Sequence, residues 1–157
     1  MSRPSLAMRL CRSAIIAALY TALTVLFQAI SFGAIQFRIS EALCLLPFLL
    51  PEAVPGLAVG CFLSNLITGA PWPDVVFGTL ATLLAAITTS KLRKNLWLAA
   101  LAPAVFNGVI IGLVLTYAYH IPLLFLNMLT VAVGEVVVCF VLGIPMIKGL
   151  QRLPGLY

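Results

Sequence analysis

Apolar runs long enough to cross a lipid bilayer, broken by short polar stretches, leave this chain few folds to choose from. A spanning α-helix needs roughly 20 apolar residues, so a chain of 157 residues accommodates about six joined by short loops. The charged fraction agrees: 8% of the residues are charged, against about a quarter in soluble domains. Mean hydropathy is +1.18. The chain reads as an all-α integral membrane protein, one transmembrane domain with no room for a soluble catalytic domain. The net charge of +5 does not indicate nucleic acid, because the basic residues sit at the ends of the apolar runs. Arg3, Arg9 and Arg12 precede the first run as in a signal peptide, but the run continues through helix-like sequence and is expected to remain as a first span.

The expected spans are 13–32, 40–51, 53–68, 74–90, 96–119 and 122–147. The stretch 41–66 admits one kinked span or two short ones, because Pro51-Glu52 and Pro55-Gly56 interrupt it. Charge bias decides between them. With six spans, the N-terminal arginines, the loop Lys91, Arg93, Lys94 and the closing Lys148 and Arg152 share one side, which is the positive-inside arrangement. With five they are split. A compact six-helix bundle with both termini cytoplasmic follows, its short spans tolerable where neighbouring helices cover the broken backbone. Cys11, Cys44, Cys61 and Cys139 lie in or beside apolar runs without a C-x-x-C pair, and read as packing residues.

Topology gives each polar residue a depth. Gln36, Arg38 and Glu41 fall on the first outer loop or at the start of the second span. Asn65 and Trp72 lie near the outer face, with Asp74 opening the fourth span. Asn127 sits in the outer half of the last span, and Asn107 and Glu135 near mid-depth. Carboxylates in hydrocarbon are expensive and persist where they bind or move something. An outward-opening polar pocket that tapers to mid-membrane is the economical interpretation. Plainer readings stand beside it. Asp74 follows a proline and would serve as a helix N-cap. Arg38 and Glu41, three apart, would form a solvated pair. The asparagines would be interhelical glue at about 1 kcal/mol each. Trp72, Tyr117 and Tyr119 would be interfacial anchors; His120 is a lone outer-loop histidine. Glu52 lies in an inner turn and is expected to be solvated. Glu135 would be a structural partner of Asn107.

Ala14, Ala18 and Ala22 recur every four residues, a stripe along which another helix can approach; Gly108 and Gly112 repeat the pattern. There is no G-x-x-x-x-G-K-[ST] phosphate loop, and neither H-E-x-x-H nor G-x-S-x-G. No cofactor and no metal centre is expected.

The alanine stripe in a small six-span protein resembles the substrate-binding S components of energy-coupling factor (ECF) transporters. More closely, Gln36-Phe37-Arg38-Ile39-Ser40-Glu41-Ala42-Leu43, Gly60-Cys61-Phe62-Leu63-Ser64-Asn65 and Asp74-Val75-Val76-Phe77-Gly78-Thr79-Leu80-Ala81-Thr82 resemble the QueT family, carriers of queuosine precursors. The resemblance covers roughly residue 14 to the C-terminus. It implies a bacterial plasma-membrane subunit that captures a solute outside and topples against a partner module. That module comprises a transmembrane coupling protein, met by Ala14, Ala18 and Ala22, and two ATPase subunits.

The implied ligand is queuine or another 7-deazaguanine. Its N1–H and 2-amino group suit a carboxylate, its O6 an amide, its side-chain amine a second carboxylate, and its ring an aromatic face. The expected substrate-binding set is Gln36, Arg38, Glu41, Asn65, Trp72, Asp74, Asn107, Asn127 and Glu135. Within it, Glu135 or Glu41 would take the guanine edge, Asn65 or Asn127 would meet O6, Trp72 would stack and Asp74 would receive the amine. Three rivals remain: an S component for another vitamin, a proton-coupled carrier working alone, and a membrane enzyme using Asp74 and Glu135 as an acid/base pair.

Overall fold

The computed structural model describes residues 5–31 and 37–153, all of whose regular elements are helical. Helix α1 (Leu6–Leu26) is followed by a single turn, α2 (Gln28–Ser31), and then by a 3-10 helix, Ile39–Phe48. Helix α3 (Ala53–Ile67) comes next. A π-helical turn, Asp74–Gly78, leads into α4 (Thr79–Lys91). After α5 (Leu96–Tyr117), α6 (Leu124–Val138) runs through a second π-helical stretch, Cys139–Gly143, into α7 (Ile144–Leu150).

Local chemistry sets the ends. The Ser5 hydroxyl accepts from the Met8 N–H at 3.3 Å and opens α1. The Asn95 side chain accepts from the N–H groups of Trp97 and Leu98, at 3.0 and 3.3 Å, and opens α5. Both satisfy N-terminal donors that a helix cannot pair internally.

Among the described residues, three helices are long and apolar enough to cross a membrane: Leu6–Leu26, Leu96–Tyr117 and the continuous Leu124–Leu150. The first begins earlier in the chain than the expected 13–32 and breaks at Phe27. The expected 40–51 span is a ten-residue 3-10 helix, about 20 Å long at ~2.0 Å per residue. The fifteen residues of α3 extend about 22 Å at 1.5 Å per residue. Both fall short of the ~30 Å hydrocarbon core.

The 3-10 helix occupies the centre of the bundle, with Ser40 through Pro47 all buried. Its neighbours are α1, α3, α4, α5, α6, α7 and the Cys139–Gly143 stretch. Runs of this length are uncommon for 3-10 geometry. Here it is enclosed on every side, so its backbone is covered by other helices as a short buried segment requires.

The helices alternate between two ends of the bundle. At one end the Arg12 guanidinium pairs with Glu52 at 2.7 Å, and the Ser13 hydroxyl donates to the Glu52 carbonyl at 2.5 Å. Arg93 donates to the Pro47 carbonyl at 3.3 Å, and the Lys148 ammonium lies 5.4 Å from the Trp97 ring centre. This is the basic end. Glu52, expected to be solvated, is buried there because Arg12 reaches it along the flank of α1. At the opposite end, Gln28 donates to the Thr68 carbonyl at 3.3 Å and Tyr119 meets Asp74.

Helix α1 seats against α3 through glycines. A Cβ on Gly56 would stand 2.5 Å from the Ser13 carbonyl oxygen, and one on Gly60 2.8 Å from the Tyr20 Cβ. The buried face of α1 is Ile16, Ala17, Tyr20 and Thr24, whereas Ala14, Ala18 and Ala22 point outward. Gly108 and Gly112 serve the α5–α6 contact, opposite Ala132 and Met128.

Two outcomes test this packing. Gly60→Leu should lower the melting temperature in detergent by an amount equivalent to about 1–3 kcal/mol, the usual cost of overpacking, whereas Ala18→Leu on the outer face of α1 should leave it unchanged; thermal unfolding followed by circular dichroism reads both. The second concerns pH. Burial alone raises the Glu52 pKa, but hydrogen bonds from Arg12 and from backbone, with the guanidinium charge, outweigh it and leave that pKa below the ordinary value. A carboxyl with a lowered folded pKa stabilises the fold above its unfolded pKa, and the contribution fades as pH falls through the folded value. Wild type should therefore melt higher than Glu52→Gln at neutral pH, with the gap closing in acid.

Candidate functional site

Six of the polar residues singled out in the sequence converge in the interior. Arg38 precedes the 3-10 helix in an extended conformation (φ −85°, ψ 94°), and Glu41 lies in its first turn. Asn65 comes from the last turn of α3 and Asp74 from the first π-helical turn. Asn107 comes from the middle of α5 and Glu135 from α6. None is more than 5% exposed. Buried polar groups are costly unless hydrogen-bonded, so their partners are informative.

Glu41 is fully engaged by protein. Its Oε1 accepts from the Tyr20 hydroxyl and, at 3.2 Å, from Thr82, while its Oε2 accepts from the Cys44 thiol at 2.8 Å. The last bond follows from local geometry, because side chains three apart eclipse in a 3-10 helix. Nearby, Thr24 donates to Ser40 at 2.7 Å.

The other two carboxylates are half engaged. Asn107 donates to Glu135 Oε1 at 2.8 Å, and Glu135 Oε2 has no hydrogen-bond partner. The Tyr119 hydroxyl donates to Asp74 Oδ2, and Asp74 Oδ1 has none. Asn65 spends its amide N–H on the Asp74 carbonyl at 3.0 Å, leaving its own Oδ1 without a partner. Among the described residues, three buried oxygens from three helical elements therefore lack a donor.

Arg38 lies among these groups. Its charge interacts with Tyr20, Glu41 and Asp74, and the charge of Glu135 with Glu41 and Arg38. Gly78 makes room there. A Cβ at that position would come within 3.2 Å of the Asn65 amide nitrogen and 3.9 Å of Arg38 Nη1. Asp74 heads a π-helical turn and Glu135 lies one turn ahead of the other. Such turns insert an extra residue and re-aim the side chains around them.

The interior meets the surface at Asp74. A cleft of about 710 Å³ opens at the end opposite the basic one, lined by Gln28, Ala29, Thr68, Gly69, Ala70, Pro71, Asp74 and Tyr119. Tyr119 is carried by the α5–α6 loop, in which His120 and Leu123 have positive φ, 55° and 69°. Asn127 holds that loop from α6, donating to Thr116 at 3.0 Å and to the Ile121 carbonyl at 3.1 Å.

The remaining candidates fall elsewhere. Asn127 is a loop brace rather than a cluster member. Trp72 is 71% exposed and stands outside the cluster, as an interfacial anchor would. Gln36 lies outside the described residues. Asp74 does not cap a helix; its carboxylate accepts from Tyr119. Tyr20, Thr82 and Tyr119 escaped sequence reasoning. Thr82 was legible as the end of the D-x-x-x-G-T-x-A-T run, and Tyr20 as a polar neighbour of Thr24 one turn away. Nothing local marks Tyr119 as more than an anchor. Among the described residues, no three His, Cys, Asp or Glu side chains are grouped to hold a metal ion.

Comparison with known proteins places this architecture. Over 73 residues the chain is 42% identical to "Queuosine precursor transporter QueT" of Lactococcus lactis subsp. cremoris (strain MG1363), a match covering 45% of this chain and 43% of that relative. The chain thus matches less than half the length of that relative. No solved structure matches it. The model of the QueT transporter family matches residues 10–152, a range containing every residue of the cluster. The chain belongs to the QueT transporter family.

Proposed function

We propose that this chain is the solute-binding membrane subunit of an ECF-type transporter, capturing a queuosine precursor, queuine or a related 7-deazaguanine, from outside. The observation that carries the reading is the set of three buried oxygens without donors: Glu135 Oε2, Asp74 Oδ1 and Asn65 Oδ1. A 7-deazaguanine is rich in matching donors, namely N1–H, the 2-amino group and the ring N9–H. Glu135, held in place by Asn107, takes the guanine edge as a charge-assisted pair. Asn65 presents an acceptor rather than a donor, so it meets a ligand N–H. The carbonyl O6 then falls to Arg38, whose guanidinium lies in the same cluster. Glu41 already holds three protein donors and acts as the scaffold that fixes the 3-10 helix to α1 and α4.

Orientation follows from charge. With the basic end cytoplasmic, the Asp74 cleft opens outward. The partner surface follows from α1. Only 17% of its most apolar stretch is buried, against 56% for α5, and Ala14, Ala18 and Ala22 lie on its open side. A small-residue stripe of this kind lets a second helix pack closely. We assign it to the coupling protein through which two ATPase subunits drive toppling.

Binding of 7-deazaguanines to the purified chain, measured by calorimetry, tests the site. Glu135→Gln should weaken binding about 10- to 100-fold, the worth of a hydrogen bond to a charged group, without lowering the melting temperature. Unaltered affinity would remove Glu135 from the site. Ala18→Trp should abolish uptake by cells while sparing ligand binding. Uptake by the isolated chain in vesicles under a proton gradient would instead favour a carrier that works alone.

A further inference from the structure

We infer that a cleft at the basic end is a binding site for an anionic phospholipid, whose phosphate meets Lys148 and Arg152 while an acyl chain lies along α5. This inference does not depend on the solute-binding reading above.

The cleft has a volume of about 420 Å³ and is lined by Trp97, Phe140, Ile144, Pro145, Lys148 and Arg152. Sites for small molecules span roughly 300–1,000 Å³. Two helix ends build it. Trp97 stands in the first turn of α5, just after the Asn95 cap, and its ring meets that of Phe140 at 5.6 Å, tilted by 55°. Lys148, in the last turn of α7, lies over the Trp97 ring. Arg152 follows four residues later in a turn that continues α7, its N–H donating to the Gly149 carbonyl at 3.1 Å. Residues four apart share a helix face, and both cations border the cleft.

The charge of this rim has no counterpart in the chain. The sequence holds four acidic residues. Glu41, Asp74 and Glu135 are buried in the interior cluster, and Glu52 is paired with Arg12. Among the described residues, neither Lys148 nor Arg152 has an acidic partner. Cations near a helix C-terminus also complement its dipole, but that role needs neither an aromatic platform nor an apolar hollow beside them. Together the two features fit an anion that carries an apolar tail.

Position selects a lipid over a soluble anion. Indole rings settle where headgroups meet hydrocarbon, and Trp97 opens the apolar span Leu96–Tyr117. Leu101 and Val105, four and eight residues further along α5, are exposed like Trp97 itself. They continue its face away from the basic end. A headgroup phosphate at Lys148 and Arg152 places its acyl chain on this strip, which a free phosphate would leave bare. Basic pockets between helices at the cytoplasmic face hold anionic headgroups in this manner.

The test uses the full chain carrying Trp72→Phe. The sequence has two tryptophans, and Trp72 is exposed at the opposite end, so this change leaves Trp97 as the reporter. The protein is reconstituted into equimolar vesicles of phosphatidylcholine and phosphatidylglycerol, with the acyl chains of one lipid or the other brominated to quench Trp97 fluorescence on contact. Phosphatidylglycerol should associate with Trp97 at least ~10-fold more strongly than phosphatidylcholine, the effect expected of two basic residues beside an anionic headgroup. Lys148→Gln/Arg152→Gln should abolish the preference. Lys91→Gln/Lys94→Gln, which removes the same charge from the neighbouring loop, should retain it. Equal quenching by the two lipids in the Trp72→Phe chain overturns the inference without any cleft variant having to fold. Survival of the preference in the cleft variant overturns it too. Loss of the preference in the loop variant would assign it to the charge of the whole end and would equally overturn the site.

Discussion

Holding carboxyl groups inside an apolar bundle is the constraint around which this protein is organised. An unpaired charge in such surroundings costs several kcal/mol, so each buried acid must find donors from helices that are distant in sequence. Glu41 meets this need most completely, with Tyr20 from α1, Thr82 from α4 and Cys44 from its own helix converging on one carboxylate. Because these donors come from three elements, the carboxylate ties the central 3-10 helix to its neighbours. That fixed core positions Arg38 at one end of the 3-10 helix, while Glu135 and Asp74 each keep one buried oxygen without a hydrogen-bond partner among the described residues.

Irregular helices are how the chain brings these groups together. A regular α-helix places side chains every 100°, and three acids on three such helices would need fortunate phases to meet. The 3-10 geometry of Ile39–Phe48 stacks Cys44 on Glu41. The π-helical turn at Asp74–Gly78 re-aims the start of the fourth helix, and a second one follows Glu135. Departures from α geometry concentrate at functional positions, and here they fall beside each of the three acids. The regular helices do the opposite work: α5 and α6 pack through Gly108 and Gly112, and α1 and α3 through Gly56 and Gly60. They provide a rigid frame with one face of α1 left open.

Much of this was legible in the sequence. Asp74, Asn107 and Glu135 stand out because a polar residue in an apolar run has few neutral explanations, and the helical order follows from turn signals and charge bias. The three conspicuous segments around Arg38, Asn65 and Asp74 identified the family. What sequence could not supply was direction. A small-residue stripe reads the same whether it faces the bundle or the lipid; Ala14, Ala18 and Ala22 turn out to lie outside while Ala17 and Gly60 make the internal contact. Asn127 is as polar as Asn65, but loop carbonyls consume its amide. Tyr119 looked like an anchor because nothing near it in sequence announces Asp74, 45 positions away. The 3-10 helix was hidden for a related reason: its geometry is imposed by enclosure, not by local preference.

Function, on this view, is set by which acceptors the fold leaves without donors. The most direct measurement is affinity for a matched pair of 7-deazapurines, identical except that one lacks the 2-amino group. Sites built to hydrogen-bond a ligand N–H reject analogues lacking it by large factors. The purified chain should bind the 2-amino compound at least ~100-fold more tightly. Equal affinity for the pair would mean that Glu135 does not read the guanine edge, and that its buried carboxyl serves the fold instead.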